Sequence, residues 1–441
     1  MSAMDQLQFS FSLIVFVLLL VFFLFYSVKL LKRSKRLPGP WKLPLIGSVH
    51  HLAIPHLAST LPHHSLRNLA RKYGPLMHLQ LGENSTIVVS SHQLAEEVLR
   101  TRDPAFADRQ EVLAAKIMTY YYVEIVFSPY EEYWTQMRKS STLGLLSPKK
   151  VRYFRSIRQD EVFHVIEKRS KLERLHLKMN EILENIINEH QEYLESSKGR
   201  DGEAREEDLV DVLLRLKQRG DLQFPITNNN IKAVILDIFF CWNRNIFSYS
   251  RMGNVRNGEE SKSDGKTQAE LRKALKGKKS IDESHIQGLE YLRLVIKETL
   301  RLHPPVPLLL RECREQTEID GYLIPVKTKA ILNAWAIGRD PRNWKDAESF
   351  SPERFDNSSF DFTINRHQYV PFGAGKRMCP GISFGLANIE LPLAQLLYHF
   401  DWKLPAWTKP EDLDMIETFG AATRRSSNLR LIPTPYFSYH E

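Results

Sequence analysis

The chain has 441 residues, a formal net charge of +9 and a pI of about 9.2, a length that suits one large domain or two ordinary ones. Its three cysteines, Cys241, Cys313 and Cys379, exclude a disulfide-built secreted scaffold and point to a reducing compartment. A basic balance suits nucleic acid, an anionic membrane surface or an acidic protein partner, but no basic stripe interleaved with aromatics favours nucleic acid.

Phe9 to Val28 run apolar apart from a few serines, twenty residues in all, which matches the thickness of a bilayer core. Lys29, Lys32, Arg33, Lys35 and Arg36 follow directly. The positive-inside rule then predicts a membrane anchor at 1–28 with the body of the chain in the cytosol. No positive residue precedes the run and no small-residue cleavage site follows it, so it reads as an anchor and not as a cleaved leader. Residues 29–44 read as a basic, then proline-rich hinge, stiffened at Leu37-Pro38-Gly39-Pro40 and Pro44. A single domain is expected over 45–441.

Leu76–Leu81 and Thr86–Val89 read as two strands around a Gly82-Glu83-Asn84 turn, with helices predicted at Ser65–Lys72 and Ser91–Thr101. Ser128-Pro129 is expected to open another helix, with Trp134 and Arg138 four apart on one face. Glu195–Asp208 is a charged loop without apolar period. Ile231–Phe239 starts a buried helix, which gives way to Cys241-Trp242-Asn243-Arg244-Asn245 and a stretch through Gly253 and Gly258 with no helical period. Ser280-Ile281-Asp282-Glu283 is a capping-box pattern. Tyr291–Leu302 reads as a helix that ends before Pro304-Pro305, with Glu298 and Arg301 on one face. Arg311 follows the proline cluster, and Pro352-Glu353-Arg354-Phe355 adds a further arginine. Short runs at Ile319–Pro325, Ala330–Asn333, Asp401–Leu404 and Leu429–Ile432 read as strands. The expected fold is mainly α with small β-sheets, an α+β body.

The stretch that organises the rest is Pro371-Phe372-Gly373-Ala374-Gly375-Lys376-Arg377-Met378-Cys379-Pro380-Gly381, followed by an apolar helix. A cysteine at a helix N-terminus meets free backbone N–H groups that favour its thiolate. The glycines allow close backbone approach to a large flat ligand. The spacing Phe-x-x-Gly-x-Arg-x-Cys-x-Gly resembles the haem-thiolate loop of the cytochrome P450 family, and the flanking sequence resembles the plant microsomal type that hydroxylates terpenoids. The resemblance implies the P450 fold and haem b, with Cys379 as axial ligand to the iron in a loop shaped by Phe372, Gly375 and Gly381. It implies propionate contacts from Trp134, Arg138 and Arg377, and from Arg311, which one proline fewer than usual precedes. It implies a buried ion-pair triad of Glu298, Arg301 and Arg354 that is structural and not catalytic. It further implies electrons from NADPH through NADPH-cytochrome P450 reductase, a small lipophilic substrate, and a single-pass place in the endoplasmic reticulum membrane with the catalytic domain facing the cytosol.

Two places depart from the family. Near Glu167 the chain passes from Arg158-Gln159-Asp160-Glu161-Val162 almost directly to Lys171-Leu172-Glu173-Arg174, where resembling proteins have several dozen more residues that roof the substrate pocket. The helix begun at Ile231 should continue into an Ala-Gly-x-Asp/Glu-Thr motif that relays protons to iron-bound oxygen. Here it does not, and the family pattern returns only at Gln268-Ala269-Glu270-Leu271. Cys241 to about Lys266 reads as translated out of frame. Reading from the second base of the Cys241 codon, codon degeneracy permits Ala-Gly-Thr-Glu-Thr-Ser-Ser. No catalytic residue is therefore assigned, since Thr299 and Thr317 do not belong to that helix. The expected function is a haem-dependent monooxygenase of a small lipophilic, terpenoid-like compound. The alternative is a catalytically impaired haem-binding remnant of that family, whether a defective copy, a splice variant or a faulty gene model.

Overall fold

The computed structural model describes residues 37–53, 61–159 (less 113, 114, 117, 118 and 120), scattered positions at 187–231, 260–276, 281–356, 367–405 and parts of 408–436. The anchor, residues 29–36 of the hinge, the region near Glu167, the Glu195–Asp208 loop and residues 241–259 lie outside the described residues, while 260–266 of the 241–266 stretch are helical. Among the described residues no helix is long and apolar enough to cross a membrane.

A four-stranded sheet buried on both faces builds the first layer. Strands β1 (Leu76–Leu81) and β2 (Asn84–Val89) pair antiparallel with Leu76 opposite Val89. Strand β3 (Leu308–Glu312) pairs antiparallel with β6 (Lys329–Asn333), and β6 joins β2 in parallel, giving the order β1-β2-β6-β3. Met77, Leu79, Val88 and Ile331 face one side, where Leu66 of helix α1 (Pro62–Tyr73) covers them. Leu76, Ile87, Val89, Ala330 and Leu332 face the other and pack with Val98, Leu99 and Phe106. That split follows from the period of two along a strand. A small hairpin, β4 (Thr317–Ile319) with β5 (Tyr322–Ile324), lies between β3 and β6 in the chain.

A second core joins α3 (Glu260–Ala274), α4 (Glu283–Ile286), α5 (Glu290–Leu302) and α7 (Ile382–His399) through Leu271, Ile286, Leu292, Ile296, Leu300, Ile389, Leu393 and Leu397. Each such side chain contributes about 1.5–3 kcal/mol on full burial. This core seats α7 behind the cysteine loop. Helix α2 (Glu132–Gly144) lies against the cysteine loop through Trp134 and Arg138, and α6 (Ala334–Ile337) follows β6. Near the C-terminus β7 (Phe400–Lys403) pairs with β10 (Ile432–Pro435), and β8 (Glu417–Thr418) with β9 (Arg424–Arg425).

Several boundaries differ from those the sequence pattern predicts. The helix of Trp134 begins at Glu132, because Ser128 and Pro129 belong to a turn in which Glu124 accepts hydrogen bonds from the Val126 and Phe127 amides. Ser91 caps a short α-turn, His92–Glu96, which loosens into π-helical geometry at Glu97–Thr101. The capping box is Asp282 with His285, shifted from the expected serine: Asp282 accepts from the His285 amide while the His285 ring accepts from the Asp282 amide. Of the last predicted strand, Ile432 opens β10, while Leu429 lies outside the described residues.

Candidate functional site: the cysteine loop and its arginines

Val370 to Gly381 turn sharply before α7. Gly373 accepts its turn with φ +69°, its amide donating to Val370 O at 3.1 Å. Gly375 has φ +69° as well, and a Cβ there would stand 2.3 Å from Leu99 O and 2.6 Å from the Asp103 carboxylate. That close approach locks the Gly375–Arg377 turn onto the π-helical segment. Asp103 fastens it by accepting the Lys376 amide at 2.7 Å. The Cys379 amide donates back to Phe372 O at 2.9 Å, and Gly381 caps α7 with an ordinary φ of −97°. Cys379 is a free thiol that keeps part of its surface open. Burial of the rest pushes the thiol up, while the Gly381 amide and the Arg138 guanidinium pull it down. Burial wins, so the chain by itself holds a protonated thiol; a bound cation must displace that proton.

Four arginines converge around this loop. On α2, Trp134 is buried with Arg138 one turn on, the guanidinium 5.3 Å from the ring centroid. Arg138 donates to Met378 O at 2.5 Å, the carbonyl just before Cys379. Arg377 stacks 4.2 Å from the Trp134 ring centroid. It donates to Ala107 O (2.6 Å), Ile125 O (3.4 Å) and Ser128 O (2.6 Å). Trp134 gives its single N–H to Ile125 O at 2.8 Å. Arg311 on β3 is 1% exposed and reaches only Leu310 O at 3.2 Å and Ala374 O at 3.4 Å. Its Nε is buried with no hydrogen-bond partner among the described residues. Arg109, which no motif in the sequence singles out, donates to Val126 O at 3.1 Å and to Leu310 O.

Burial lowers all four guanidiniums, Arg377 to about 9 and Arg109 to about 10, and Arg311 well below its usual value. Arg109, Arg377 and Arg138 each push Arg311 further down, and only Asp103 opposes them. Burial in turn raises the Asp103 carboxyl. The carbonyls that accept from these guanidiniums are neutral; Glu124 opposes the burial of Arg109, Asp108 and Glu124 that of Arg377, and Arg311 is left with Asp103 alone.

Behind the loop the expected triad is assembled. Arg301, fully buried on α5, donates to both oxygens of Glu298 at 2.7 Å. Arg354 donates to Glu298 Oε1 at 3.0 Å, and the Ser351 amide to the same oxygen at 2.8 Å. Arg301 also donates to the carbonyls of Gly338, Ala347 and Ser349, which ties α5 to the segments that lead toward the loop. Phe372 packs on the core that these elements share with α7.

The cytochrome P450 family model matches residues 37–173 and 166–429, two segments that meet near Glu167. Premnaspirodiene oxygenase from Hyoscyamus muticus is 46% identical over 501 positions, covering 96% of this chain and 99% of that protein. That alignment is longer than the whole 441-residue chain, so the relative carries residues that this chain lacks. 5-Epiaristolochene 1,3-dihydroxylase from Nicotiana tabacum is 44% identical, covering 96% of this chain and 99% of that one. Among solved structures, a zebra fish cytochrome P450 with abiraterone aligns with a TM-score of 0.68 at 23% identity, covering 86% of this chain and all of that one. The loop at Cys379, the sheet and helices around it and these likenesses agree: the chain belongs to the cytochrome P450 family, the haem b monooxygenases that draw electrons from NADPH through a reductase.

Proposed function

We propose that this chain holds haem b with Cys379 as axial ligand and oxidises a small lipophilic, terpenoid-like molecule. The observation that carries the cofactor reading is Arg311 beside the cysteine loop, buried, pressed by Arg109, Arg377 and Arg138 with Asp103 alone opposing them, its Nε without a hydrogen-bond partner among the described residues. A flat group bearing two carboxylates fits such a donor set. Arg138 and Arg311 are the residues to hold that anionic edge. Arg377 and Trp134 spend donors on the carbonyls of Ala107, Ile125 and Ser128, so their part is to position the 107–128 segment against the loop. Arg138 and the Gly381 amide draw the Cys379 thiol toward the thiolate that an iron needs. When bound, the haem supplies dioxygen activation with electrons from NADPH through the reductase. The terpenoid substrate class rests on the relatives' names, among them a germacrene A hydroxylase from Barnadesia spinosa, 43% identical. The anchor at residues 1–28 and the endoplasmic reticulum membrane complete this reading.

A second reading has its own support, and it parts from the first only after haem is bound. The break in the family match near Glu167 and the excess length of the relatives fit a chain that has lost part of its substrate roof. The sequence 241–266 fits an oxygen-activating helix read out of frame. In its own frame that stretch reads Cys241-Trp242-Asn243-Arg244-Asn245, with no acid and threonine in the family's places to move protons. Membranes containing the chain, a reductase and NADPH are the test, with a frame-restored chain beside it. Product above background from the chain as it stands supports the monooxygenase. A gain confined to the restored chain supports the impaired remnant, and no gain in a properly folded restored chain removes that reading.

A further inference from the structure

Away from the cysteine loop, three histidines that the haem site does not use converge on one carboxylate. His63 and His64 open α1, His303 caps the end of α5, and Glu417 lies on β8. His63 Nε2 is 3.0 Å from Glu417 Oε2, and His303 Nδ1 is 3.2 Å from Oε1. His64 Nε2 is 3.9 Å from Oε2, beyond hydrogen-bond reach. That nitrogen is buried and has no hydrogen-bond partner among the described residues. Donor atoms of His63, His64 and Glu417 all lie within 4.8 Å of one another.

We propose that His63 Nε2, His64 Nε2 and Glu417 Oε2 form a binding site for a divalent transition metal of the zinc type, with His303 orienting the carboxylate from its other oxygen. Ligand atoms about 2.0–2.2 Å from a tetrahedral zinc stand roughly 3.3–3.6 Å from each other, and the separations of 3.0 and 3.9 Å bracket that value. Two imidazoles and one carboxylate are donors suited to zinc, and unlike the all-oxygen sets that magnesium and calcium take. Burial, then the neighbouring His63, lowers His64 to about 4. Burial raises Glu417, but hydrogen bonds from His303 and His63 outweigh it and bring the carboxyl down to about 2. Burial lowers His303, so its neutral ring donates Nδ1–H to Oε1, the usual outer partner of a liganding carboxylate.

The surroundings supply a wall. Trp335 packs against the rings of both His63 and His64, with centroids 5.1 and 4.2 Å away. The His64 side chain is 35% exposed, so the cluster lies close to the protein surface. Arg67 and Arg339 stand near Trp335, but Glu348 pairs with them at 2.5 and 3.0 Å, so their charge is offset locally. A metal would replace the proton now shared between His63 and Glu417, and would tie the β8–β9 hairpin to α1 and the end of α5.

The test is competition between the full-length chain in detergent and a fluorescent zinc chelator, after metal is stripped, joined with X-ray absorption of the zinc-loaded chain. One Zn2+ per chain is expected, with affinity weakened at least about tenfold in His64→Asn and in Glu417→Gln. The absorption spectrum of the unmutated chain should show a nitrogen and oxygen shell with imidazole scattering. Equal zinc affinity in the unmutated chain and the doubly substituted His63→Asn, His64→Asn chain would overturn the site. So would a sulfur-containing shell, which needs no variant to fold. Neither measurement depends on haem.

Discussion

Arg311→Met should change the haem-free and haem-loaded chains in opposite directions. Arg311 is 1% exposed, its Nε has no partner, and its two other nitrogens reach carbonyls at 3.2 and 3.4 Å. Three arginines press on it and one aspartate relieves it. Without the cofactor, a methionine of similar volume removes an uncompensated buried cation. Such replacements are neutral or stabilising by about 1–4 kcal/mol. With the cofactor, the same change deletes one partner of a buried charge pair, a loss of about 2–5 kcal/mol, or about 30- to 5000-fold in haem affinity. Urea unfolding of the haem-free chain reads the first effect, and transfer of haem to an acceptor apoprotein reads the second. A variant that keeps haem as well as the unmutated chain does, or whose haem-free form loses more than about 2 kcal/mol, refutes the reasoning.

Other perturbations have equally definite outcomes. Gly375→Ala places a side chain at φ +69° and 2.3 Å from Leu99 O, costing more than about 1 kcal/mol; it should abolish thiolate-type haem absorbance, and a normal spectrum would contradict the packing account. Glu298→Gln leaves the fully buried Arg301 without its charge partner and should cost about 3–5 kcal/mol in chemical denaturation, whereas a loss under about 1 kcal/mol would show the triad to be dispensable. Burial, with Lys42 nearby, lowers His78 from 6.5 to about 4. The unfolded chain thus binds the proton first, so the stability this group contributes is full above pH 6.5 and lost as pH falls toward 4. His78→Gln should flatten that part of the stability profile, and an unchanged slope would assign the acid sensitivity elsewhere.

What the sequence disclosed was what local pattern encodes. Strands β1 and β2 are short apolar runs on either side of the Gly82-Glu83-Asn84 turn, so their existence could be read directly. Helix α5 carried its apolar stripe and its Glu298–Arg301 pair within one turn. The cysteine loop was legible because glycine, arginine and cysteine stand at fixed offsets. Arg109 was not, since its enclosure comes from Leu310, 201 residues away, and nothing beside it in the chain signals a site. Arg377 was expected at an anion; the carbonyls of Ala107, Ile125 and Ser128 that take its donors lie some 250–270 positions earlier. The start of α2 was misplaced for a related reason: Ser128-Pro129 is a common helix opening, but Glu124 uses its carboxylate to hold the preceding turn. The histidine cluster joins α1, α5 and β8, three elements whose meeting no spacing in the sequence announces.

The measurement that bears most directly on the central claim is the carbon monoxide difference spectrum of the reduced full-length chain in membranes, with Cys379→Ser as control. The account predicts a red-shifted, thiolate-type Soret band that the serine variant loses. An absent band, an unshifted band, or a spectrum that survives loss of the Cys379 sulfur would contradict haem ligation at this loop.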